Sequence, residues 1–262
     1  MEFHTVPAKG WRIAMGRAAG VGPLLVYLHG LGCAGSQDWP PVAAAPALAG
    51  RASLWVDLPG FGRSDRPSGF SYDLADQADL LTELLAPGAG VVPAGTPIAL
   101  IGHSMGGTLA VLVAERLIAA RRPPVALVLA EAILNPGDAA TSARVAAKSE
   151  ARFVSAWPRW VQAFPSPFYR EEMRLADPTA YYCTAVSLMR HSEQILERFL
   201  ALPVPTKGFI AGGRSDPPIH RTARRLAAAG LPIATVPGSG HGFSEDDPAG
   251  LAAAIAGFVT AH

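Results

Sequence analysis

The sequence of 262 residues has few cysteines, little charge and no run of like charge. Its two cysteines, Cys33 and Cys183, lie far apart and in no CxxC or Cys/His spacing, which argues against a disulfide framework and a zinc site. Charged residues make up 16% of the chain, against roughly 25% in an average soluble domain, and the net charge is +1. Neither nucleic acid nor an anionic membrane surface is therefore an expected partner.

The sequence also lacks the signals of a membrane-spanning or exported protein. Its most apolar run, residues 125–134, is about half as long as a spanning helix must be, and it contains Glu131. Residues 1–9 do not resemble the cationic and apolar parts of a signal peptide. We therefore expect no membrane span and a cytoplasmic location.

Short apolar runs alternate with segments of helical periodicity along most of the chain. The runs show no polar alternation, a pattern typical of strands buried on both faces of a parallel sheet. They are residues 24–28, 53–56, 98–101, 125–130, 209–211 and 233–236. The helical segments are residues 73–85, 105–120, 221–229 and 249–259. This alternation predicts a doubly wound α/β sheet with functional loops at the carboxyl ends of its strands.

Residues 135–202 interrupt this alternation. They contain no convincing buried strand, many aromatic residues, and prolines that divide the segment into short pieces. We interpret the segment as a helical insertion that covers the strand ends, within a core made of residues 1–134 and 203–262. As a group, its aromatic side chains favour an apolar acyl or ring pocket.

A G-x-S-x-G motif lies between the predicted strand 98–101 and the helix that follows it. A serine on such a sharp turn has a strained backbone, so its neighbours Gly102 and Gly106 must lack side chains. The turn exposes the hydroxyl of Ser104, and the helix N-terminus behind it favours developing negative charge. The motif therefore predicts that Ser104 is a nucleophile.

A serine nucleophile needs a base, and the sequence has seven histidines. His241 follows the last predicted strand and precedes the last helix, in a glycine-rich loop that can carry an imidazole over the strand ends. His29 and His103 flank other candidate catalytic backbone, and we interpret them as structural. We therefore expect His241 to be the base.

The glycines that follow His29 predict an oxyanion hole. The segment His29-Gly30-Leu31-Gly32 comes after the first long strand. Its glycines allow backbone conformations in which N–H groups can point toward a ligand. Beside a nucleophile of this kind, the two expected donors are the backbone N–H groups of Leu31 and Met105.

Four motifs occur in order: His29-Gly30, DLPGFGRS at 57–64, GHSMGG at 102–107 and GHG at 240–242. Together they resemble the α/β-hydrolase family over essentially the whole chain. The resemblance implies an eight-stranded, mostly parallel sheet, a helical cap at residues 135–202 and no cofactor. Serine at position 104 separates the chain from the haloalkane dehalogenase and epoxide hydrolase branches, which use aspartate there.

Two acids compete for the third place beside His241, where a carboxylate fixes the imidazole tautomer. Asp216 follows the predicted strand 209–211, where most of the family has its acid, but a G-x-x-D count from Gly212 lands on Ser215. Glu131 ends the preceding strand, as in the haloalkane dehalogenase branch. A carboxylate that closes a buried strand needs a partner, which His241 would supply. We favour Glu131 and keep Asp216 as the alternative.

These residues predict a serine hydrolase that cleaves a carboxylic ester or thioester with an apolar part through an acyl-enzyme on Ser104. The same residues could serve an acyltransferase, or a carbon–carbon bond hydrolase or lyase. A non-catalytic ligand-binding homologue is a further alternative, although such a protein has no need of a nucleophile, a base, an acid and an oxyanion hole together.

Overall fold

The computed structural model describes residues 1–6 and 9–259, and within them eight strands form one sheet. The strands are β1 (Glu2–Thr5), β2 (Arg12–Ala18), β3 (Val21–Leu28), β4 (Arg51–Val56), β5 (Ile98–His103), β6 (Ala126–Ala130), β7 (Thr206–Gly212) and β8 (Ile233–Val236). Their order across the sheet is β1-β2-β4-β3-β5-β6-β7-β8. The pairs from β4 to β8 are parallel, whereas β1 and β2 are antiparallel to their neighbours. The predicted α/β architecture is confirmed.

The described residues also form helices that flank the sheet and fill the segment between β6 and β7. They are α1 (Gly35–Ala43), α2 (Leu74–Leu84), α3 (Met105–Ala119), α4 (Ala140–Ala146), α5 (Glu150–Gln162), α6 (Pro167–Arg174), α7 (Pro178–Ser192), α8 (Ile195–Ala201), α9 (Pro217–Ala228), α10 (Phe243–Asp246) and α11 (Pro248–Val259). Short 3₁₀ turns occupy Pro46–Leu48 and Pro136–Asp138. None of the helices in the described ranges is long and apolar enough to cross a bilayer.

The core lies on both faces of the sheet, as the unbroken apolar runs predict. In β3, Val26 packs with α2 and α3 on one face, while Leu25 packs with α1 and α11 on the other. All residues of β5 and β6 are buried. Side chains alternate across a strand, so a strand covered on both faces must be apolar at every position.

Several elements differ from the sequence prediction. The antiparallel strands β1 and β2 were not predicted, because their sequences contain no continuous apolar run. Strand β1 is largely exposed, and β2 mixes buried and exposed positions. Helix α1 contains Pro40 and Pro41, which normally break a helix, but its Trp39 is buried against the sheet. Helix α9 begins at Pro217 rather than at residue 221, because proline is tolerated in a first turn.

Helices α4 to α8 form the segment between β6 and β7, hereafter the insertion (residues 135–202). An aromatic cluster holds it together. Phe153 stacks on Tyr181 with ring centroids 5.7 Å apart, and it forms T-shaped pairs with Trp157 and Trp160, whose centroids lie 5.7 and 5.5 Å away. Phe153 and Tyr181 are fully buried, and these aromatic residues join the hydrophobic core that covers one face of the sheet.

Candidate active site

Ser104 occupies the turn between β5 and α3 in a strained backbone conformation, with φ 55° and ψ −122°. A Cβ atom on Gly102 would lie 2.3 Å from the carbonyl oxygen of Gly106. One on Gly106 would lie 2.3 Å from the carbonyl oxygen of Leu28. Both glycines are therefore required sterically, as the motif indicated. A conformation of this kind costs about 1–3 kcal/mol and recurs at functional sites.

The side chains of Ser104, His241 and Glu131 form a continuous chain of hydrogen bonds. His241 Nε2 lies 3.0 Å from Ser104 Oγ, and His241 Nδ1 lies 2.7 Å from Glu131 Oε2. A carboxylate only accepts, so Nδ1–H donates to Glu131 and Nε2 is left to accept the Ser104 proton. Glu131 is fully buried, whereas about half of the His241 side chain is exposed.

Glu131 follows β6 directly and is held by hydrogen bonds with β7 and with the loop after β7. Its backbone N–H donates to Ile210 O at 2.9 Å, and its Oε1 accepts the Gly212 N–H at 2.6 Å and the Ser215 hydroxyl. Burial alone would raise the pKa of Glu131. The hydrogen bond and charge of His241, with the Ser215 and Gly212 donors, outweigh burial and hold that pKa below its usual value.

Of the two candidate acids, the structure brings Glu131 against His241. Asp216 is exposed as the N-cap residue of α9, and the described atoms include no hydrogen bond between it and His241. The sequence reasoning missed the role of Ser215. The G-x-x-D count that landed on Ser215 was the available signal, since this residue, in the loop after β7, donates to the acid.

The segment after β3, hereafter the HG loop (residues 29–34), lies beside Ser104. The Leu58 N–H donates to His29 Nε2 at 3.1 Å, so His29 Nδ1 carries the proton that is donated to Gly30 O at 2.8 Å. Among residues 1–6 and 9–259, the backbone N–H groups of Leu31 and Met105 have no acceptor. Both expected oxyanion donors are therefore free to bind a ligand.

His103 holds the loop that carries His241. Its Nε2–H donates to the carbonyl oxygen of His241 at 2.8 Å, and the two rings lie 4.8 Å apart. Burial, and next the charge of His241, lower the pKa of His103 to about 3, so the ring stays neutral near pH 7. The sequence interpretation of His103 as structural fits this contact, but it did not specify the partner.

A cavity of about 470 Å³ opens onto Ser104 and His241. The insertion contributes aromatic side chains to its wall, namely Phe164, Phe168, Tyr169 and Tyr181. The described residues that line it include no lysine or arginine, yet they include several acids. These are Asp38, Glu131, Asp138, Glu172, Asp216, Glu245 and Asp246. Glu172 is protonated near pH 7, so the negative bias of this otherwise apolar wall comes from the other acids.

One cluster on the cavity wall contains side chains of the kinds that bind metals. Single ligand atoms of Cys33, Asp38 and Glu172 lie within 4.8 Å of one another, and all three residues are buried. Burial, and then the Asp38 charge, raise the pKa of Glu172 to about 9, and burial raises that of the Cys33 thiol. A metal would have to displace these protons, so protonation competes with binding near pH 7. The sequence spacing gave no sign of this cluster.

A model of the alpha/beta hydrolase family matches residues 25–254. The chain belongs to this family. An uncharacterised protein of Mycobacterium tuberculosis is 36% identical over 111 residues, a match that covers 42% of the present α/β-hydrolase and 29% of the mycobacterial protein. The α/β-hydrolase chain thus aligns with less than a third of that relative's length.

Solved structures share the fold of this α/β-hydrolase over nearly its full length. A carboxylesterase of Nitrososphaera gargenis is 15% identical with a TM-score of 0.77, covering 99% of this chain and 98% of the other. An esterase of Exiguobacterium antarcticum is 19% identical with a TM-score of 0.74 and 98% coverage of both chains. The enol-lactonase of Burkholderia xenovorans is 19% identical with a TM-score of 0.70, covering 99% and 100%.

Proposed function

We propose that this α/β-hydrolase cleaves a carboxylic ester or thioester through an acyl-enzyme on Ser104. The observation that carries the proposal is the hydrogen-bond chain from Ser104 Oγ through His241 to Glu131, with distances of 3.0 and 2.7 Å. A serine, a base and an orienting acid in this order are the requirements for activating a hydroxyl nucleophile.

In the first half-reaction, Ser104 Oγ attacks the substrate carbonyl while His241 Nε2 takes its proton. The negative carbonyl oxygen is bound by the free N–H groups of Leu31 and Met105. Glu131 stabilises the imidazolium without taking its proton. His241 then protonates the leaving alcohol or thiol, and the acyl group remains on Ser104.

In the second half-reaction, His241 removes a proton from water as the water attacks the acyl carbon. The tetrahedral intermediate collapses, Ser104 recovers the proton from His241, and the carboxylic acid leaves. The insertion acts as the cap in this proposal, because Phe164 and Phe168 supply apolar wall to the cavity beside the serine. The substrate is accordingly a small molecule with an apolar part.

The experiment is labelling with a fluorophosphonate together with turnover of a panel of nitrophenyl esters and thioesters. Ser104→Ala is expected to abolish labelling and to lower turnover by up to about 10⁶-fold, as removal of a serine nucleophile does elsewhere. Ser155→Ala is the matched control, since Ser155 is an exposed serine of α5. Labelling or near wild-type turnover in Ser104→Ala would overturn the proposal.

The same panel separates the alternatives. Product that forms only when an alcohol or amine is added would indicate an acyltransferase. Ligand binding without labelling or turnover in the wild-type protein would indicate a non-catalytic homologue.

A further inference from the structure

Two side chains of α6 hydrogen-bond to the backbone of the HG loop. The Tyr169 hydroxyl donates to Leu31 O at 2.7 Å, and Glu172 Oε1 accepts the Ala34 N–H at 2.9 Å. Each bond joins residues 138 positions apart in sequence. The insertion therefore contacts the loop that carries one of the two free N–H donors.

The contact is close as well as polar. Gly32, at the centre of the HG loop, has φ +80°, and a Cβ atom there would lie 2.7 Å from Tyr169 Oη and 2.8 Å from Tyr181 Cε2. Glycine is thus required at this position both by its backbone conformation and by the side chains above it. The loop cannot move toward the insertion, because side chains already fill that space.

The peptide group that precedes Leu31 is also held in place. Gly30 O accepts the His29 Nδ1–H at 2.8 Å and the Cys33 N–H at 3.2 Å. This carbonyl and the Leu31 N–H belong to one trans peptide plane, so they point in opposite directions, and fixing one fixes the other. Tyr169 fixes the next peptide plane through Leu31 O, so both planes that meet at the Leu31 Cα are held.

Both α6 contacts are hydrogen bonds of neutral groups near pH 7. Glu172 is 1% exposed, and burial, followed by the Asp38 charge, raises its pKa to about 9. Burial, and next Tyr181, also raise the pKa of Tyr169 above its ordinary value, so its hydroxyl keeps the proton that it donates. Glutamine is consequently a close substitute for the protonated form of Glu172.

We propose that Tyr169 and Glu172 are positioning residues that clamp the HG loop and hold the Leu31 N–H toward the oxyanion. The inference rests on the proposed function, in which that N–H binds the developing charge. The insertion then contributes to the chemical step in addition to forming the cavity wall. A donor must be held within about 0.5 Å of its productive position, so loss of one clamp bond weakens transition-state binding.

The test compares Tyr169→Phe with Tyr182→Phe. The Tyr182 hydroxyl also donates to a backbone carbonyl of the insertion, Lys148 O at 2.8 Å, and Tyr182 does not line the cavity, so this variant controls for loss of a similar bond. Tyr169→Phe is expected to lower kcat about 10- to 100-fold, with KM changed less than about threefold. This loss is smaller than the about 10²- to 10³-fold loss in kcat that follows complete removal of an oxyanion donor. Affinity for a boronic acid, which mimics the tetrahedral intermediate, should fall by a similar factor.

A second pair of variants tests Glu172. Glu172→Gln keeps an acceptor for the Ala34 N–H, whereas Glu172→Leu leaves that N–H without one. Glu172→Gln should retain at least about ten times the kcat of Glu172→Leu. Thermal unfolding of each variant identifies any that fail to fold.

The outcomes distinguish this inference from the proposed function. If the wild-type protein hydrolyses esters, and Tyr169→Phe and Tyr182→Phe have equal kcat and boronic acid affinity, the clamp is overturned and the hydrolase proposal stands. Equal kcat in Glu172→Gln and Glu172→Leu would remove Glu172 from the clamp. If the wild-type protein shows neither turnover nor labelling, both proposals are overturned.

Discussion

Replacing Glu131 by glutamine tests the acid at a site where the surroundings dictate how the new amide must lie. Oε1 of Glu131 accepts the Gly212 N–H and the Ser215 hydroxyl, while Oε2 accepts His241 Nδ1–H. In Glu131→Gln the amide oxygen must take the Oε1 position to keep two donors satisfied. The NH₂ group then faces His241, so Nδ1 must become the acceptor, and Nε2 carries the proton that blocks transfer from Ser104.

The magnitude follows from the Gly212 N–H, which can only donate. Turning the amide round restores the correct tautomer but leaves this N–H facing an NH₂ group, whereas the Ser215 hydroxyl can rotate and accept from that group. At about 1–3 kcal/mol for one unsatisfied buried group, the catalytically correct form is disfavoured by about 5- to 150-fold. Glutamine also lacks the charge that stabilises the imidazolium, which adds to the loss, and the corresponding exchange in a serine protease costs about 10⁴.

We therefore expect Glu131→Gln to lower kcat/KM for a nitrophenyl ester at least about a hundredfold, with an unchanged circular dichroism spectrum. Asp216→Asn, the matched carboxylate-to-amide change, should lose less than about tenfold, because Asp216 is exposed at the start of α9.

A larger loss in Asp216→Asn than in Glu131→Gln would refute this reasoning, because it would assign the acid to Asp216, after β7.

Three further predictions concern the surroundings of this site. His103→Leu should lower kcat/KM at least about tenfold and His103→Gln less, because a glutamine amide can still donate to His241 O; equal losses would show that this bond is unimportant. The folded-state pKa of Glu172 is about 9 against an ordinary 4.5, so the folded protein binds more protons between these values, and its stability falls as the pH rises through that window. Measured by urea unfolding, the free energy of unfolding should fall less between pH 5 and pH 9 in Glu172→Gln than in the wild-type protein. Identical falls in the two proteins would contradict the raised pKa of Glu172. Since the described cavity wall contains acids but no lysine or arginine, the nitrophenyl monoester of adipic acid should have kcat/KM at least about tenfold below that of the neutral hexanoate ester, a gap that narrows in high salt. Equal values for the two esters would show that the wall charge does not reach the substrate.

Much of the fold follows from local sequence patterns. The central parallel strands β3, β5 and β6 contain continuous apolar runs because they are buried on both faces, and this requirement is visible in any window of a few residues. Helix α1 could not be predicted from such a local pattern. Its Pro40 and Pro41 oppose a helix locally, and only burial of Trp39 against the sheet stabilises it.

The sequence determined the elbow at Ser104, since a strand, two required glycines and a helix are all contiguous. It also determined that His241 follows the last strand. It favoured Glu131 but left Asp216 as an alternative, because both residues follow strands that end at the same edge of the sheet. Which carboxylate reaches His241 Nδ1 depends on how the segments after β6, β7 and β8 pack together. In the structure, Glu131 Oε2 lies 2.7 Å from this nitrogen.

The contacts of α6 with the HG loop lie wholly beyond sequence reasoning. Tyr169 and Glu172 belong to a short helix of no particular motif, and their partners Leu31 and Ala34 contribute only backbone atoms, which are the same in every residue. A sequence pattern specifies which faces are apolar and where the chain must turn. It does not specify which of many equivalent N–H and C=O groups will meet, because that is set by how the insertion packs on the sheet, and only the tertiary structure decides it.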